Sequence, residues 1–139
     1  PGKELFQYYT EDGNRKSIDS GMVNAYIKEL TLGNFSAKDF RTWAGCLHFL
    51  LAFKNIILAN SSEEPTKASV NSILDQVSKK LGNTRTVCRK YYVHPGIIKL
   101  YEEDKLQSYL KELDKIEVND KSADLTDVEK ILMKLLQKM

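Results

Sequence analysis

A long apolar stripe over residues 37–59 constrains the fold of this chain more than any other feature of its sequence. Ser36 followed by Asp39 is a capping-box-like start, with a hydroxyl at the cap and an acid three residues later. A helix over residues 37–59 is about 35 Å long, so we expect it to form the spine of the core. The spacing in steps of three, four and seven predicts one buried face, made of Phe40, Trp43, Ala44, Leu47, Leu50, Leu51, Ile57 and Leu58.

Weaker signals on both sides of this helix predict a mainly α, multi-helix globular domain. An aromatic-rich run over residues 5–9, before a turn signal at 10–14, indicates a short N-terminal extended segment. An N-cap at Asp19 precedes apolar residues at helical spacing up to Gly33. Further helices are predicted over residues 65–81, 84–92, 97–101 and 102–115, and a last one after the capping-box pair Thr126 and Glu129.

Length and composition limit the class of protein. The 139 residues, 42% hydrophobic and 29% charged, suit a single soluble domain over residues 1–139. Two cysteines cannot form a disulfide framework, so Cys46 and Cys88 are predicted to be free thiols in a reducing compartment. No run is long enough to span a membrane and no signal peptide is visible, and the missing initial Met leads us to expect a piece of a longer protein.

A basic middle is hidden by a near-neutral total charge. Residues 36–100 carry ten basic and four acidic side chains, whereas residues 101–139 carry seven basic and ten acidic ones. A focused basic segment suits a polyanion, through contacts with its phosphates. The alternative is an ordinary solvated surface of Lys and Arg.

Cationic residues at two places could hold a phosphate. Lys38 and Arg41 lie three residues apart in the opening turn of the long helix, where the positive helix end adds to their field. Arginine on a rigid helix is a good bidentate clamp for a phosphate. Asn83, in the turn Leu81–Thr84, could donate to a phosphate oxygen or simply cap a helix.

A basic segment ends in a pair of tyrosines. Arg85, Arg89 and Tyr92 fall at i, i+4 and i+7 and could share one helical face. A phenol is a poor nucleophile unless cations stabilise its anion, and such cations lie close in sequence. His94, directly before a proline, is expected to be a packing or capping residue, and two histidines without a cysteine or acid cluster argue against a zinc site.

Three separated motifs, in order and at family spacing, resemble the C-terminal part of the type IB DNA topoisomerases, nearest to their bacterial, poxvirus-like branch. They are Lys38–Gly45, Leu81–Thr84 and Val87–Pro95. The resemblance covers about residues 1–100, and residues 101–139 carry no motif of the family. It implies the catalytic fold shared by type IB topoisomerases and tyrosine recombinases.

The resemblance also implies an activity, namely relaxation of supercoiled DNA. In that family a tyrosine attacks a DNA phosphodiester, forms a 3′-phosphotyrosyl link and releases a 5′-hydroxyl that later reverses the attack. The matching nucleophile is Tyr92, while Tyr91 stands where relatives usually carry a small residue such as serine. The implied catalytic partners are Arg41, Asn83 and Lys38, and the implied DNA contacts are Thr84, Arg85, Arg89 and Lys90. No cofactor, nucleotide or membrane is implied, and we expect a cytoplasmic monomer acting on double-stranded DNA of the bacterial nucleoid.

The family further needs a second catalytic arginine and a general-acid lysine, and both precede the part that this chain resembles. We therefore expect a fragment that binds DNA weakly and relaxes supercoils poorly or not at all. Three alternatives stay open at this point. They are a tyrosine recombinase, which normally has His-x-x-Arg in place of Lys38-x-x-Arg41, a non-catalytic helical DNA-binding module, and a plain helical interaction domain.

Overall fold

The computed structural model is mainly helical, as the sequence predicts. It describes residues 4–59, 67–106, 108–109 and 125–139. The chain divides into two compact units, Pro1–Phe40 and Arg41–Met139, and the grouping of residues 1–139 into a single domain stays a prediction. Within the described residues, no helix has both the length and the apolar character that crossing a membrane requires.

The N-terminal unit begins with a β-hairpin. Strand β1 (Gln7–Tyr9) pairs antiparallel with β2 (Arg15–Ser17), and Tyr8 lies opposite Lys16. Gly13 takes a φ of 75° in the connecting turn, which glycine adopts without steric cost. The predicted extended segment is confirmed. The second strand was missed because its Arg-Lys-Ser sequence is exposed along its whole length and shows no apolar alternation.

Helix α1 (Ser20–Thr31) follows the predicted cap, where the Asp19 carboxylate accepts from the backbone N–H of Met22 at 2.8 Å. The left-handed residue that ends it is Leu32, with a φ of 51°, rather than the predicted Gly33. No residue of α1 is buried in the described structure. Asn24 of α1 accepts, through its side-chain Oδ1, a hydrogen bond from the N–H of Ala37, and this bond joins α1 to the start of the next helix.

Helix α2 (Ala37–Ala59) has the predicted bounds, and the Ser36 N–H and hydroxyl donate to Asp39 Oδ2 at 2.8 and 2.7 Å. The predicted buried face is partly wrong, since Phe40 and Leu51 are 58% and 37% exposed. The described residues of α2 that are buried in the core are Cys46, Phe49, Leu50, Ala52 and Phe53, and the partly buried Trp43, Leu47 and Ile56 pack against it. Apolar side chains occur all round this helix, so their spacing does not select one face. The side chains of residues 57 and 58 lie outside the described structure.

Three helical segments follow α2 in the C-terminal unit. Helix α3 (Lys67–Leu81) buries Val70, Ile73, Leu74 and Val77, while Pro65 and the side chain of Ala68 lie outside the described structure. Gly82 ends α3 with a φ of 64°. The short α4 (Arg85–Val87) runs directly into a π-helical turn, Cys88–Tyr92. The predicted helix over residues 84–92 is therefore present, but its second half is wound more widely than predicted.

Helix α5 (Pro95–Glu102) starts where the sequence places a break. His94 is extended, with φ −62° and ψ 127°, and its Nδ1 accepts from the N–H of Gly96, which confirms a capping role. Tyr101 of α5 lies edge-on to Phe49 and Phe53 of α2 in the core. The predicted helix over residues 102–115 is wrong for 103–106, which leave the helix through Asp104 at a φ of 54°. Residues 107 and 110–115 lie outside the described structure.

The last helix, α6 (Asp127–Leu136), belongs to the core of the C-terminal unit. Its predicted capping box is confirmed, with the side chains and backbones of Thr126 and Glu129 bonded reciprocally. Ile131, Leu132 and Leu135 are buried. The part of the tail that the structure describes thus packs against the rest of its unit.

Candidate active site

Tyr92 is the last residue of the π-helical turn and is half-buried. The turn closes with a bond from the N–H of Val93 to the carbonyl of Cys88, 3.0 Å long and spanning five residues. Winding of this kind is rare and often occurs at functional sites.

Arg41 of α2 lies over the ring of Tyr92. The guanidinium carbon is 4.9 Å from the ring centroid, within the range of a cation–π contact. One guanidinium nitrogen, Nη2, donates to the backbone carbonyl of Leu81 at 2.8 Å. Ring stacking and this hydrogen bond together hold the charged group beside the phenol.

Asn83 donates to the same carbonyl oxygen, from Nδ2 at 3.1 Å. Its position depends on the turn at the end of α3, where Gly82 is left-handed and the N–H of Asn83 donates to Ser78 O at 2.9 Å. Arg41 and Asn83 therefore converge on the carbonyl of Leu81, with Tyr92 against the guanidinium. The structure brings together three of the four residues that the sequence assigns to catalysis.

The fourth residue, Lys38, lies exposed in the first turn of α2 and belongs to the N-terminal unit. Its neighbour Asp39 has a lowered pKa, chiefly because the hydroxyl and N–H of Ser36 donate to its carboxylate. The Asp39 carboxylate therefore stays ionised and caps the helix. The catalytic role of Lys38 stays a prediction.

Three of the four predicted DNA contacts line a groove of about 600 Å³. Its lining residues are Asn71, Arg85, Thr86, Arg89 and Lys90. Tyr92 is not among the residues that line this groove, and the face predicted to be shared by Arg85, Arg89 and Tyr92 stays a prediction. The prediction assumed α-helical winding, whereas Cys88–Tyr92 is a π-helical turn.

Acidic partners hold the arginines of the groove. Arg85 makes a bidentate pair with Asp75, from Nε to Oδ1 at 2.6 Å and from Nη2 to Oδ2 at 2.5 Å. This pairing lowers the pKa of Asp75 and raises that of Arg85. Arg89 lies 3.6 Å from a carboxylate oxygen of Glu102. The groove is thus basic, but its arginines would have to exchange these partners to hold a phosphate.

The other two predicted DNA contacts have local roles in this structure. The ammonium of Lys90 lies 5.0 Å from the ring centroid of Tyr91, which is 46% exposed. The hydroxyl of Thr84 accepts from the N–H of Val87 at 3.3 Å and so caps α4. Both residues are exposed, and their contacts with DNA stay predictions.

Neither cysteine is suited to act as a nucleophile. Cys46 and Cys88 are free, as predicted, and both are buried. Burial raises the pKa of each thiol, so both stay protonated near neutral pH. In the described part of the chain, no three His, Cys, Asp or Glu residues are grouped as metal ligands would be.

Some groups around Tyr92 were not found by sequence reasoning. The carbonyl of Leu81 is a backbone acceptor, which the sequence cannot reveal. The N–H of His94 donates to Cys46 Sγ at 3.4 Å, and that sulfur lies 3.8 Å from the carbonyl oxygen of Tyr92. Trp43, two residues after Arg41, donates from Nε1 to Glu129 Oε1 at 3.1 Å across 86 residues of sequence.

Comparisons with known proteins agree on one family. The model of the eukaryotic DNA topoisomerase I catalytic core matches residues 1–119. A protein of Acanthamoeba polyphaga mimivirus named DNA topoisomerase 1B is 29% identical over 109 residues. That match covers 74% of this chain and 32% of the viral protein, so the chain spans about a third of the length of this relative.

Proposed function

The chain belongs to the type IB DNA topoisomerase family, and we propose that it carries the nucleophile of an enzyme that relaxes supercoiled DNA. One observation carries the proposal, namely the Arg41 guanidinium stacked on the ring of Tyr92 at 4.9 Å. A phenol needs a nearby cation to act as a nucleophile, and a phosphate under attack needs a donor for its developing charge. One arginine in this position serves both needs.

The proposed reaction conserves the energy of the bond that it breaks. Tyr92 Oη attacks a backbone phosphorus, a new oxygen–phosphorus bond forms, and the bond from phosphorus to the 5′-oxygen breaks. The phenol loses its proton, and the departing 5′-oxygen gains one. Attack by the resulting 5′-hydroxyl reverses both changes after the strand has rotated, so no nucleotide is consumed.

The other proposed catalytic residues have different roles. The Arg41 guanidinium has five N–H donors, of which the bond to Leu81 takes one. The remaining donors can reach the non-bridging oxygens, where the five-coordinate phosphorus gathers negative charge. Asn83 can donate one hydrogen bond but cannot supply a proton. Lys38 is proposed to neutralise charge near the cleaved link.

The basic groove is proposed to hold the DNA backbone. Its lining includes Arg85, Arg89 and Lys90, and Thr84 directly precedes Arg85 in the sequence. Contacts of this kind fix the position of the duplex and make binding depend on salt. Family membership supports topoisomerase activity over strand exchange between two sites by a recombinase.

We also propose that two further catalytic groups, an arginine and a general-acid lysine, come from outside the 139 residues. The resemblance implies both groups, and neither falls in the three motifs found in this chain. The chain alone is then expected to relax supercoiled plasmid far more slowly than the complete enzyme. Equal turnover by the two proteins would contradict this part of the proposal.

The decisive experiment traps the covalent intermediate. The complete enzyme is mixed with a duplex nicked so that the short 5′-hydroxyl strand is lost after cleavage, and the adduct is measured on a denaturing gel. We expect Tyr92→Phe to abolish the adduct, and the matched variant Tyr91→Phe to retain it. Arg41→Ala should slow cleavage about 10²–10³-fold, as loss of a transition-state donor does. An adduct mapped to Tyr91, or full cleavage by Tyr92→Phe, would refute the assignment.

A further inference from the structure

Gly45 lies buried in the middle of α2, one helical turn after Arg41. Glycine weakens a helix interior relative to alanine, so a glycine at this position calls for a physical reason. The reason is contact with Tyr92. A Cβ at position 45 would overlap the carbonyl oxygen of Tyr92 and come within 3.0 Å of its carbonyl carbon and 3.2 Å of its Cβ.

The other helical glycines in the described structure meet only side chains. A Cβ at Gly21 would lie 3.0 Å from Oδ1 of Asp19, and one at Gly96 would meet the sulfur of Met139. The side chain of Met139 can rotate away, and a shift of the Asp19 carboxylate would weaken only the cap of α1 without moving the backbone. A backbone carbonyl at the end of a π-helical turn cannot move aside in this way, because the turn is closed by the bond from Val93 N to Cys88 O.

Neighbouring contacts also hold the Tyr92 carbonyl in place. The thiol of Cys46 lies 3.8 Å from this oxygen and accepts from the N–H of His94 at 3.4 Å. Residues 41 and 45 are four apart, so they lie on the same face of α2. Helix α2 therefore touches Tyr92 at two levels, with Arg41 at the ring and Gly45 at the backbone.

We propose that Gly45 is a positioning residue, which lets the backbone of Tyr92 approach α2 closely enough for the Arg41 guanidinium to stack on the phenol. The inference rests on the proposed function for its catalytic consequence. Its structural part is independent of that function, because an added methyl must push Tyr92 and α2 apart whatever the chain does.

The structural part is tested on the 139-residue chain by NMR. Wild type should show contacts between the protons of the Arg41 side chain and those of the Tyr92 ring. Gly45→Ala should lose them, whereas the matched variant Gly21→Ala should keep them. Contacts of full strength in Gly45→Ala would overturn the proposal.

The catalytic part is tested on the complete enzyme with the trapping assay. Gly45→Ala is expected to slow single-turnover cleavage about 100-fold, the scale of a misplacement near 1 Å, while its Kd for duplex DNA stays near that of wild type. In an Arg41→Ala background the same change should cost only a few-fold, because the contact that it disturbs is already gone. A purely structural defect would instead lower cleavage equally in both backgrounds, and that result would overturn the proposal.

A second variant covers the case in which Gly45→Ala does not fold. Gly45→Ala with Cys46→Ala removes the sulfur next to the Tyr92 carbonyl and gives that oxygen room to move. This variant should bind duplex and still cleave slowly, and wild-type cleavage by it would overturn the proposal. Absence of any adduct with the wild-type enzyme would refute the proposed function instead, whereas adduct formation at equal rates by wild type and Gly45→Ala would refute only the role of Gly45.

Discussion

Replacing Glu129 by alanine is expected to loosen the contact between the last helix and the helix that carries Arg41. The Glu129 carboxylate accepts from Trp43 Nε1 at 3.1 Å, and from the N–H and hydroxyl of Thr126 at 2.8 Å each. Glu129→Ala removes all three bonds and breaks the capping box of α6. Glu129→Gln keeps an acceptor of the same shape but removes its charge.

The magnitude follows from the number and the kind of these bonds. A hydrogen bond to a charged group contributes about 1.5–3 kcal/mol when buried, and the partial exposure of Glu129 reduces this value because water can replace the lost partner. We expect the free energy of unfolding to fall by about 2 kcal/mol for Glu129→Ala and about 1 kcal/mol for Glu129→Gln. For a chain of this size these losses lower the Tm by about 8 and 4 °C.

The assay uses the single tryptophan of the chain, Trp43, whose fluorescence reports this contact directly. The hydrogen bonds to its carboxylate lower the pKa of Glu129 below its ordinary value of 4.5, and the bond from Trp43 has the largest effect. A lowered folded-state pKa contributes stability that is present above the unfolded-state value and lost as the pH falls through the folded-state value. The difference in stability between wild type and Glu129→Gln should therefore be constant near neutral pH and shrink below pH 4.5.

Asp127→Asn is the matched control, since Asp127 is also an acid in the first turn of α6 and pairs with Lys130 at 3.1 Å. It should leave the fluorescence of Trp43 unchanged. The reasoning fails if Glu129→Ala unfolds at the same temperature as Asp127→Asn, or if the difference between wild type and Glu129→Gln does not change with pH.

Three further changes test the groove, the core and the thiols. Asp75→Asn releases Arg85 from its bidentate partner, so the affinity for a short duplex, measured by fluorescence anisotropy, should be higher than that of wild type. The affinity of the variant should also decrease more steeply as salt increases from about 50 to 200 mM. An equal rise in Asp127→Asn would indicate only a change in net charge. Leu132→Ala leaves a cavity at a fully buried position and should lower the free energy of unfolding by about 3–4 kcal/mol in a urea titration, and a loss under about 1 kcal/mol would contradict the packing of α6. Cys46 and Cys88 should resist alkylation at pH 8 in the native chain and react after unfolding, as read by mass spectrometry, and rapid native labelling would contradict their burial and raised pKa.

Local signals predicted the elements of this fold well. The start of α2 follows from the pair Ser36 and Asp39, and the start of α6 follows from Thr126 and Glu129, because each cap acts within one helical turn. The buried face of α2 was harder to predict. Phe40 and Leu51 are exposed even though they fit the helical spacing, since packing selects among the apolar faces of a helix only after its neighbours are in place.

The candidate site was predicted through resemblance more than through spacing. The meeting of Arg41, Asn83 and Tyr92 joins residues up to 51 positions apart, and local patterns do not encode such contacts. The pair of Arg85 with Asp75 and the bond from Trp43 to Glu129 are tertiary contacts of the same kind. The π turn at Cys88–Tyr92 was missed because its winding depends on what surrounds it and leaves no pattern in the sequence.

The π turn makes the aim of the phenol depend on residue count as well as residue identity. One residue more or less in a helical segment rotates everything beyond it by about 100°. Deletion of Lys90 with the winding otherwise unchanged would leave Arg85 and Arg89 in the chain and still turn the phenol away from the Arg41 guanidinium. Length in this short stretch is therefore under as tight a constraint as the tyrosine itself.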